Sequence, residues 1–339
     1  MSALLEVQGL GVTFPVGRER VPVLADVSFQ VHAGRCLALV GESGSGKSMT
    51  ALSILRLVPR PGRIDSGSVE LAGRELMRLS VPDMRSVRGR EIAMIFQEPM
   101  TSLNPVVSVG EQVVEAIVLH ESVSRKASRD RTVELFRRVG IPDAPQRFHS
   151  FPHQLSGGLK QRVMIAMALA VRPRVLLADE PTTALDVTVQ AQILELLRVL
   201  QAESNTAIVL ITHDFGVVNQ LADDIAVMYA GRIVETGPRT DILRAPSHPY
   251  TQGLLRALPS RARSGQRLQE IPGRMPSPKD VPAGCPFAPR CPEMVPACGS
   301  WTPHLTELGQ RRVACLKRED LRREEGPREE GPREDGARA

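Results

Sequence analysis

Aromatic side chains are scarce, at 3% of the 339 residues, with one tryptophan and two tyrosines. A single-strand nucleic-acid groove interleaves aromatic platforms with basic residues. No Lys/Arg cluster of that kind occurs, so nucleic acid is not expected as a partner, and the formal charge of +5 reads as solubility and phosphate handling. Long apolar runs are lacking too. The longest, residues 163–171, is half the roughly 18–20 residues that cross a bilayer, so any membrane role must pass through partner chains. The amino-terminus has no basic region, apolar core or small-residue cleavage site of a secretory signal, and the chain is expected in the cytosol. Cysteine is also sparse: Cys36 stands alone, and the other four lie between 285 and 315. In a reducing compartment such a cluster favours a metal or iron–sulfur site over disulfides.

What is present is organised around GESGSGKS, residues 41–48, which fits the phosphate-loop template G-x-x-x-x-G-K-[ST] at every fixed position. An apolar run at 36–40 reads as a buried strand before it, and 49–58 reads as an apolar helix after it. Gly41, Gly44 and Gly46 allow successive N–H groups to face a phosphate chain, and the helix adds its positive end. Ser43 and Met49 belong to the same nucleotide-binding set. Lys47 is suited to the β- and γ-phosphates, and the Ser48 hydroxyl to Mg²⁺. The stretch predicts a nucleoside triphosphate site.

Residues 4–31 alternate apolar and polar around a turn at 17–20, which predicts antiparallel strands with one buried face. Phe14, just before the turn, suits either stacking on an adenine ring or packing in the core. Residues 64–72 and 91–96 read as strands, the second ending on Gln97. From 99 to 147 turn residues give way to helical periodicity, a helical insertion. LSGGLKQR at 155–162 leads into a small-residue helix, 163–171. Four apolar residues after Arg174 then end in Asp179 and Glu180. A helix over 189–200 and a strand over 207–212 lead to His213, and 224–228 with 232–235 look like a closing pair of strands. Alternating strands and helices predict an α/β fold with a parallel sheet and helices on both faces. Beyond Gly237, prolines at 246, 249, 259, 272, 276, 278 and 282 make a regular core unexpected, apart from a helix near 250–257. The repeated REEGP, REEGP, REDG at 323–336 predicts a disordered charged tail over 321–339.

Asp179 and Glu180 close a buried strand, where α/β sheets place their ligands. Asp179 suits Mg²⁺, and Glu180 suits polarising an attacking water. Gln97 offers its amide oxygen to Mg²⁺ or to that water, and His213 can donate to the γ-phosphate or order Glu180. Phosphoryl transfer needs these parts because it rests on positioning and charge neutralisation. Glu180, His213, Gln97 and Lys47 form the candidate catalytic set, and Ser48, Gln97 and Asp179 the Mg²⁺ set. Ser156, Gly157 and Gly158 open a helix and form a second anion site, far in sequence from the phosphate loop. Serving another subunit explains it best: a head-to-tail dimer with nucleotide between one chain's phosphate loop and the other's Ser156 and Gly158.

With these motifs in order over about residues 4–240, the chain resembles the ATP-binding subunits of ABC transporters. Residues 41–48 look like Walker A, Gln97 the Q-loop, LSGGLKQR the signature (with Leu159 where Gln is usual), VLLADE Walker B, 184–186 with Asp186 the D-loop, and His213 the switch histidine. Residues 94–112, 156–169 and 247–255 resemble the dipeptide/oligopeptide importer branch, which nickel and glutathione importers share, and 61–67 its D-type subunit. The resemblance implies a P-loop NTPase (RecA-like) core with an antiparallel β subdomain and a helical subdomain at about 99–168. It assigns 1–240 to the ATPase domain and 241–320 to a Pro/Cys-rich C-terminal extension. It further implies Mg²⁺-dependent ATP hydrolysis and a second, F-type ATPase subunit or a second copy as partner. Two permease subunits, an extracytoplasmic binding protein and a peripheral place on the cytoplasmic face of the inner membrane follow from the same likeness. A soluble cassette acting on ribosomes or DNA generally carries two cassettes or long coiled coils, and neither occurs here. Cys285, Cys291, Cys298 and Cys315 match neither a zinc knuckle nor a ferredoxin run; a [4Fe–4S] cluster, zinc or unligated thiols stay open, some peptide-importer subunits with similar spacing resembling the first.

Overall fold

The computed structural model describes residues 2–98, 102–183, 185–258 and 270–318. The expected tail at 321–339, Ala184 of the D-loop and residues 99–101 of the insertion lie outside these.

The amino-terminal alternation folds as expected. β1 (Leu5–Val16) pairs antiparallel with β2 (Glu19–Val31). The phosphate-loop strand β3 (Cys36–Val40) leaves for the other sheet, and β4 (Arg63–Leu71) returns to the far side of β1, followed by the two-residue β5 (Arg74–Glu75). Where β1 bulges between Val7 and Leu10, Gly67 of β4 runs so close that a Cβ there would sit 2.5 Å from the Leu10 Cα. Only glycine fits, and its φ of +94° is one that glycine adopts freely.

The second sheet has eight strands in the order β11-β12-β10-β9-β3-β8-β7-β6. β6 (Ile92–Ile95), β7 (Val175–Asp179), β8 (Ala207–Thr212), β3 and β9 (Asp224–Tyr229) run parallel. Parallel strands covered on both faces read as continuous apolar runs rather than alternations. In β3, Cys36, Ala38 and Val40 enter the core under the helices, while Leu37 and Leu39 enter the core shared with the antiparallel sheet. The sheet thus lies between two hydrophobic cores, and the carboxyl ends of its central strands converge on one edge.

Ten helices are described: α1 (Lys47–Ile54), α2 (Val81–Val87), α3 (Val109–Val118), α4 (Arg125–Arg138), α5 (Ala144–Arg147), α6 (Gly157–Leu169), α7 (Val187–Ser204), α8 (Phe215–Leu221), α9 (Arg239–Arg244) and α10 (Pro249–Arg256). α3 to α6 are the expected insertion. Phe136 of α4 packs with Val109, Val113 and Ile117 of α3 and with the small residues of α6.

The C-terminal region differs from the sequence expectation. Besides α9 and α10 it carries β11 (Thr306–Leu308) and β12 (Arg311–Val313), and β12 pairs with β10 (Arg232–Pro238) to extend the main sheet. Three-residue strands are too short to show a period of two, while Pro249 opens α10 and Pro278, Pro289 and Pro296 sit in short 3₁₀ turns before the strands. Glu235 of β10, fully buried, accepts from the Ser247 and His248 N–H groups at 2.7 and 3.0 Å. That bond pair ties the entry of α10 to the sheet, and burial raises the Glu235 carboxyl above its ordinary range.

Candidate nucleotide site

The phosphate loop leaves β3 at Gly41, is completely enclosed at Ser45, and enters α1 through Gly46 at φ +105°. A Cβ at Gly46 would lie 2.7 Å from Leu24 and 3.4 Å from the Gly231 Cα. The loop is seated on the β9–β10 turn, since Gly231 N–H donates to the Ser45 carbonyl at 2.9 Å while its own carbonyl accepts from Ala25. Ser43 and Gly44 are the exposed part of the loop. Lys47 is buried and donates to the Gly41 and Glu42 carbonyls at 2.8 and 3.0 Å. Burial lowers its pKa, while Glu180, Asp179 and Glu42 pull the other way. Met49 is partly buried against the apolar core.

The Ser48 hydroxyl donates to Asp179 Oδ1 at 3.1 Å. This hydroxyl–carboxylate pair, hard oxygens at the end of β7, suits a hard cation such as Mg²⁺. Asp179 is 3% exposed, and burial raises its carboxyl despite the Ser48 bond. Glu180 follows with φ +46°, its own N–H held by the Ile211 carbonyl of β8. Three side chains converge on its carboxylate. Gln97 Nε2 and Thr183 Oγ1 each donate to Oε2 at 2.9 Å, and His213 Nδ1 lies 3.0 Å from Oε1. Burial raises the Glu180 carboxyl, but the bonds from His213 and Thr183 and the charges of His213 and Lys47 outweigh it and leave the group below its ordinary range.

Of the four expected catalytic residues, Gln97 and His213 bond the Glu180 carboxylate, and Lys47 bears on it through its charge. Gln97 points its amide at Glu180 rather than at the Ser48–Asp179 pair. Thr183 was missed because nothing in its local spacing marks it, and only the turn after β7 brings it back to Glu180. Phe14 is half-buried; its ring fills the space beside Gly62, where a Cβ would lie 2.5 Å from the ring, and it packs against the shared core.

Ser156 and Gly157 are exposed at the start of α6, and the Ser156 hydroxyl caps that helix through the Leu159 N–H at 3.4 Å. Beside them, the space a Cβ at Gly158 would need is bounded by Val189 and Leu185. Asp186 caps α7 by accepting from the Val189 N–H at 2.9 Å. The signature and the segment around Asp186 thus form one surface.

Cys285, Cys291, Cys298 and Cys315 line one small cavity of about 20 Å³, together with His248, Phe287 and Trp301. Burial raises the thiols of Cys285 and Cys315, and that of Cys291 to about 11. Among the described residues no three His, Cys, Asp or Glu form a group that could hold a metal ion, and no helix is long and apolar enough to cross a membrane.

A phosphate loop, a Ser48–Asp179 pair, a carboxylate held at a strand end and an exposed Ser-Gly-Gly helix start on a helical insertion define an ATP-binding cassette. The ABC transporter family model matches residues 24–183, and that of the oligopeptide/dipeptide transporter C-terminal region matches 234–298. The dipeptide transport ATP-binding protein DppD of Haemophilus influenzae is 50% identical, over 92% of this chain and 95% of its own length. The oligopeptide transport ATP-binding protein AppD of Bacillus subtilis is 48% identical, over 94% and 98%. Among solved structures, the post-hydrolysis dimer of the ATP-binding cassette MJ0796 with ADP and Pi superposes with a TM-score of 0.64 at 27% identity, covering 69% of this chain and 98% of that one. The chain belongs to the ABC transporter ATP-binding proteins, in the branch that carries the oligopeptide/dipeptide C-terminal region, and it binds ATP.

Proposed function

We propose that the chain hydrolyses ATP to drive import of dipeptides or oligopeptides through membrane-spanning partner subunits. The observation that carries the reaction is the Glu180 carboxylate, ionised and fixed by Gln97, Thr183 and His213 at the end of the strand that also bears Asp179. Held that way, Glu180 accepts a proton from the water that attacks the γ-phosphate, and His213 keeps its carboxylate oriented. Lys47 exchanges its two carbonyl partners for the β- and γ-phosphates. Ser48 and Asp179 would hold Mg²⁺, which supplies charge neutralisation on the phosphates, and Gln97 would join them by turning its amide from Glu180. Ser156, Gly157 and Asp186, exposed on one surface with the partly buried Gly158, serve the nucleotide of a second ATPase subunit, an F-type chain or another copy. Phe14 lies against Gly62, which favours packing over adenine stacking.

The names of the relatives support peptides as cargo; a peripheral place on the cytoplasmic side of a membrane, two permeases and an external binding protein go with that reading. Residues 1–240 and 241–320 are proposed as cassette and extension. The four cysteines are proposed to hold a [4Fe–4S] cluster. What supports that reading is four soft thiols, the number such a cluster takes, lining one cavity.

Glu180→Gln tests the reaction. Turnover is expected to fall by about 10²–10⁴-fold while ATP binding persists, read by phosphate release and by binding of a fluorescent ATP analogue. Wild-type turnover in that variant removes Glu180 as the base.

A further inference from the structure

The phosphate loop is gripped from the far end of the chain. Arg290, 7% exposed, forms a two-pronged ion pair with Glu42, with Nη1 to Oε2 at 2.7 Å and Nη2 to Oε1 at 3.0 Å. Its Nε donates to the Pro272 carbonyl at 2.9 Å, and its guanidinium lies 5.8 Å from the centre of the Tyr229 ring. The Glu42 main chain is held as well, because its N–H donates to the Tyr250 hydroxyl at 2.9 Å. Tyr229 and Tyr250, the only tyrosines in the chain, pack edge-on at 4.6 Å, with Phe287 5.2 and 5.3 Å from them. The second residue of the phosphate loop is therefore fixed through its side chain by Arg290 and through its backbone by Tyr250.

We infer that Arg290 is a positioning residue for ATP, acting through Glu42. The inference rests on the ATPase reading above. A carboxylate in a phosphate-binding loop opposes a triphosphate unless it is turned away and neutralised. Arg290 does both, and its planar fork fixes direction as well as charge, which a lysine does not. The Glu42 carbonyl is one of the two carbonyl partners of Lys47, so freeing Glu42 also frees the peptide that parks the lysine. The C-terminal region thereby becomes part of the nucleotide site without touching nucleotide.

The test measures binding of a fluorescent ATP analogue to the full chain carrying Glu180→Gln, with and without Arg290→Ala. Arg290→Ala is expected to weaken binding about tenfold, the scale of one uncompensated, half-buried charge. Arg290→Lys should recover part of the loss, and Glu42→Gln added to Arg290→Ala should recover part as well, because the unpaired carboxylate is gone. In the otherwise wild-type chain the change should fall on the KM for ATP, with kcat little altered. If Arg290→Ala does not fold, Tyr250→Phe replaces it, with an expected loss of about threefold for one hydrogen bond. Binding within twofold of the parent in whichever of these two variants is used, or a double variant weaker than Arg290→Ala, overturns the inference. Failure of the Glu180→Gln parent to bind the analogue at all overturns the ATPase reading instead.

Discussion

At the scale of single residues, the chemistry turns on how one carboxylate keeps its charge in a half-buried place. Burial alone raises Glu180; His213 and Thr183 bring it below the ordinary carboxylate range. As a base it works only when ionised, so turnover through Glu180 is present above its folded pKa and is lost as pH falls through it. With that pKa depressed, the acid limb of turnover set by Glu180 lies below the ordinary carboxylate range. His213→Ala removes both the strongest of the bonds that lower the carboxyl and a charge that lowers it, so burial regains weight. In the residual activity of that variant the acid limb is expected to move toward neutral pH, read from single-turnover phosphate release across pH. An unmoved limb would mean that His213 acts on the phosphate rather than on Glu180. The same sign holds for stability: the Glu180 contribution is present above the unfolded carboxylate pKa and declines as pH falls through the folded one.

At the scale of elements, contiguous patterns were readable and meetings between distant segments were not. The strands before Gly41 and Asp179 announced themselves because a buried parallel strand needs an unbroken apolar run, and β8 falls on residues 207–212 as expected. α2 went unread because seven residues beginning Val81-Pro82 carry too little periodicity, although Ser80 caps it. β11 and β12 are too short to show alternation, and the pairing of β12 with β10 joins positions some eighty residues apart. In the site, the motif residues are legible, but Arg290 reaches Glu42 across 248 positions only through chain closure, and Thr183 reaches Glu180 only through the turn after β7. The start of α6 separates local from assembled roles in one experiment. Ser156 caps that helix, and aspartate caps as well as serine does. Ser156→Asp should therefore keep thermal stability within about 0.5 kcal/mol, whereas Ser156→Ala should cost about 1 kcal/mol. Yet only Ser156→Asp places a carboxylate where the other subunit's γ-phosphate is proposed to sit. ATP-driven dimerisation of the Glu180→Gln chain, measured by light scattering, should be abolished by Ser156→Asp and weakened by Ser156→Ala. Equal dimerisation of both would remove the intersubunit role.

At the scale of the whole molecule, the C-terminal region reads as an extension in sequence but is built into the cassette. β12 lengthens the central sheet, Glu235 of that sheet fixes the entry to α10, and Arg290 reaches back to Glu42. The turn bearing Arg290 is framed by cysteines: Ala288 N–H donates to the Cys285 carbonyl, Cys291 N–H to the Ala288 carbonyl, and Cys285 N–H to the Cys298 carbonyl. Whatever holds the four thiols together therefore also holds Arg290 in place, and the proposed cluster and the phosphate loop share one support. Chain purified without oxygen is expected to contain about four irons. Cys298→Ser should lose iron and weaken ATP-analogue binding severalfold, in the direction of Arg290→Ala. Because both variants loosen the same grip on Glu42, combining them should weaken binding less than the sum of their separate free-energy costs. Iron and sulfide analysis alongside the binding isotherms checks both halves. Full additivity would show that the cysteines and Arg290 act on ATP independently, and iron-free wild-type chain that still binds ATP tightly would remove the cluster while leaving the Arg290–Glu42 grip in force.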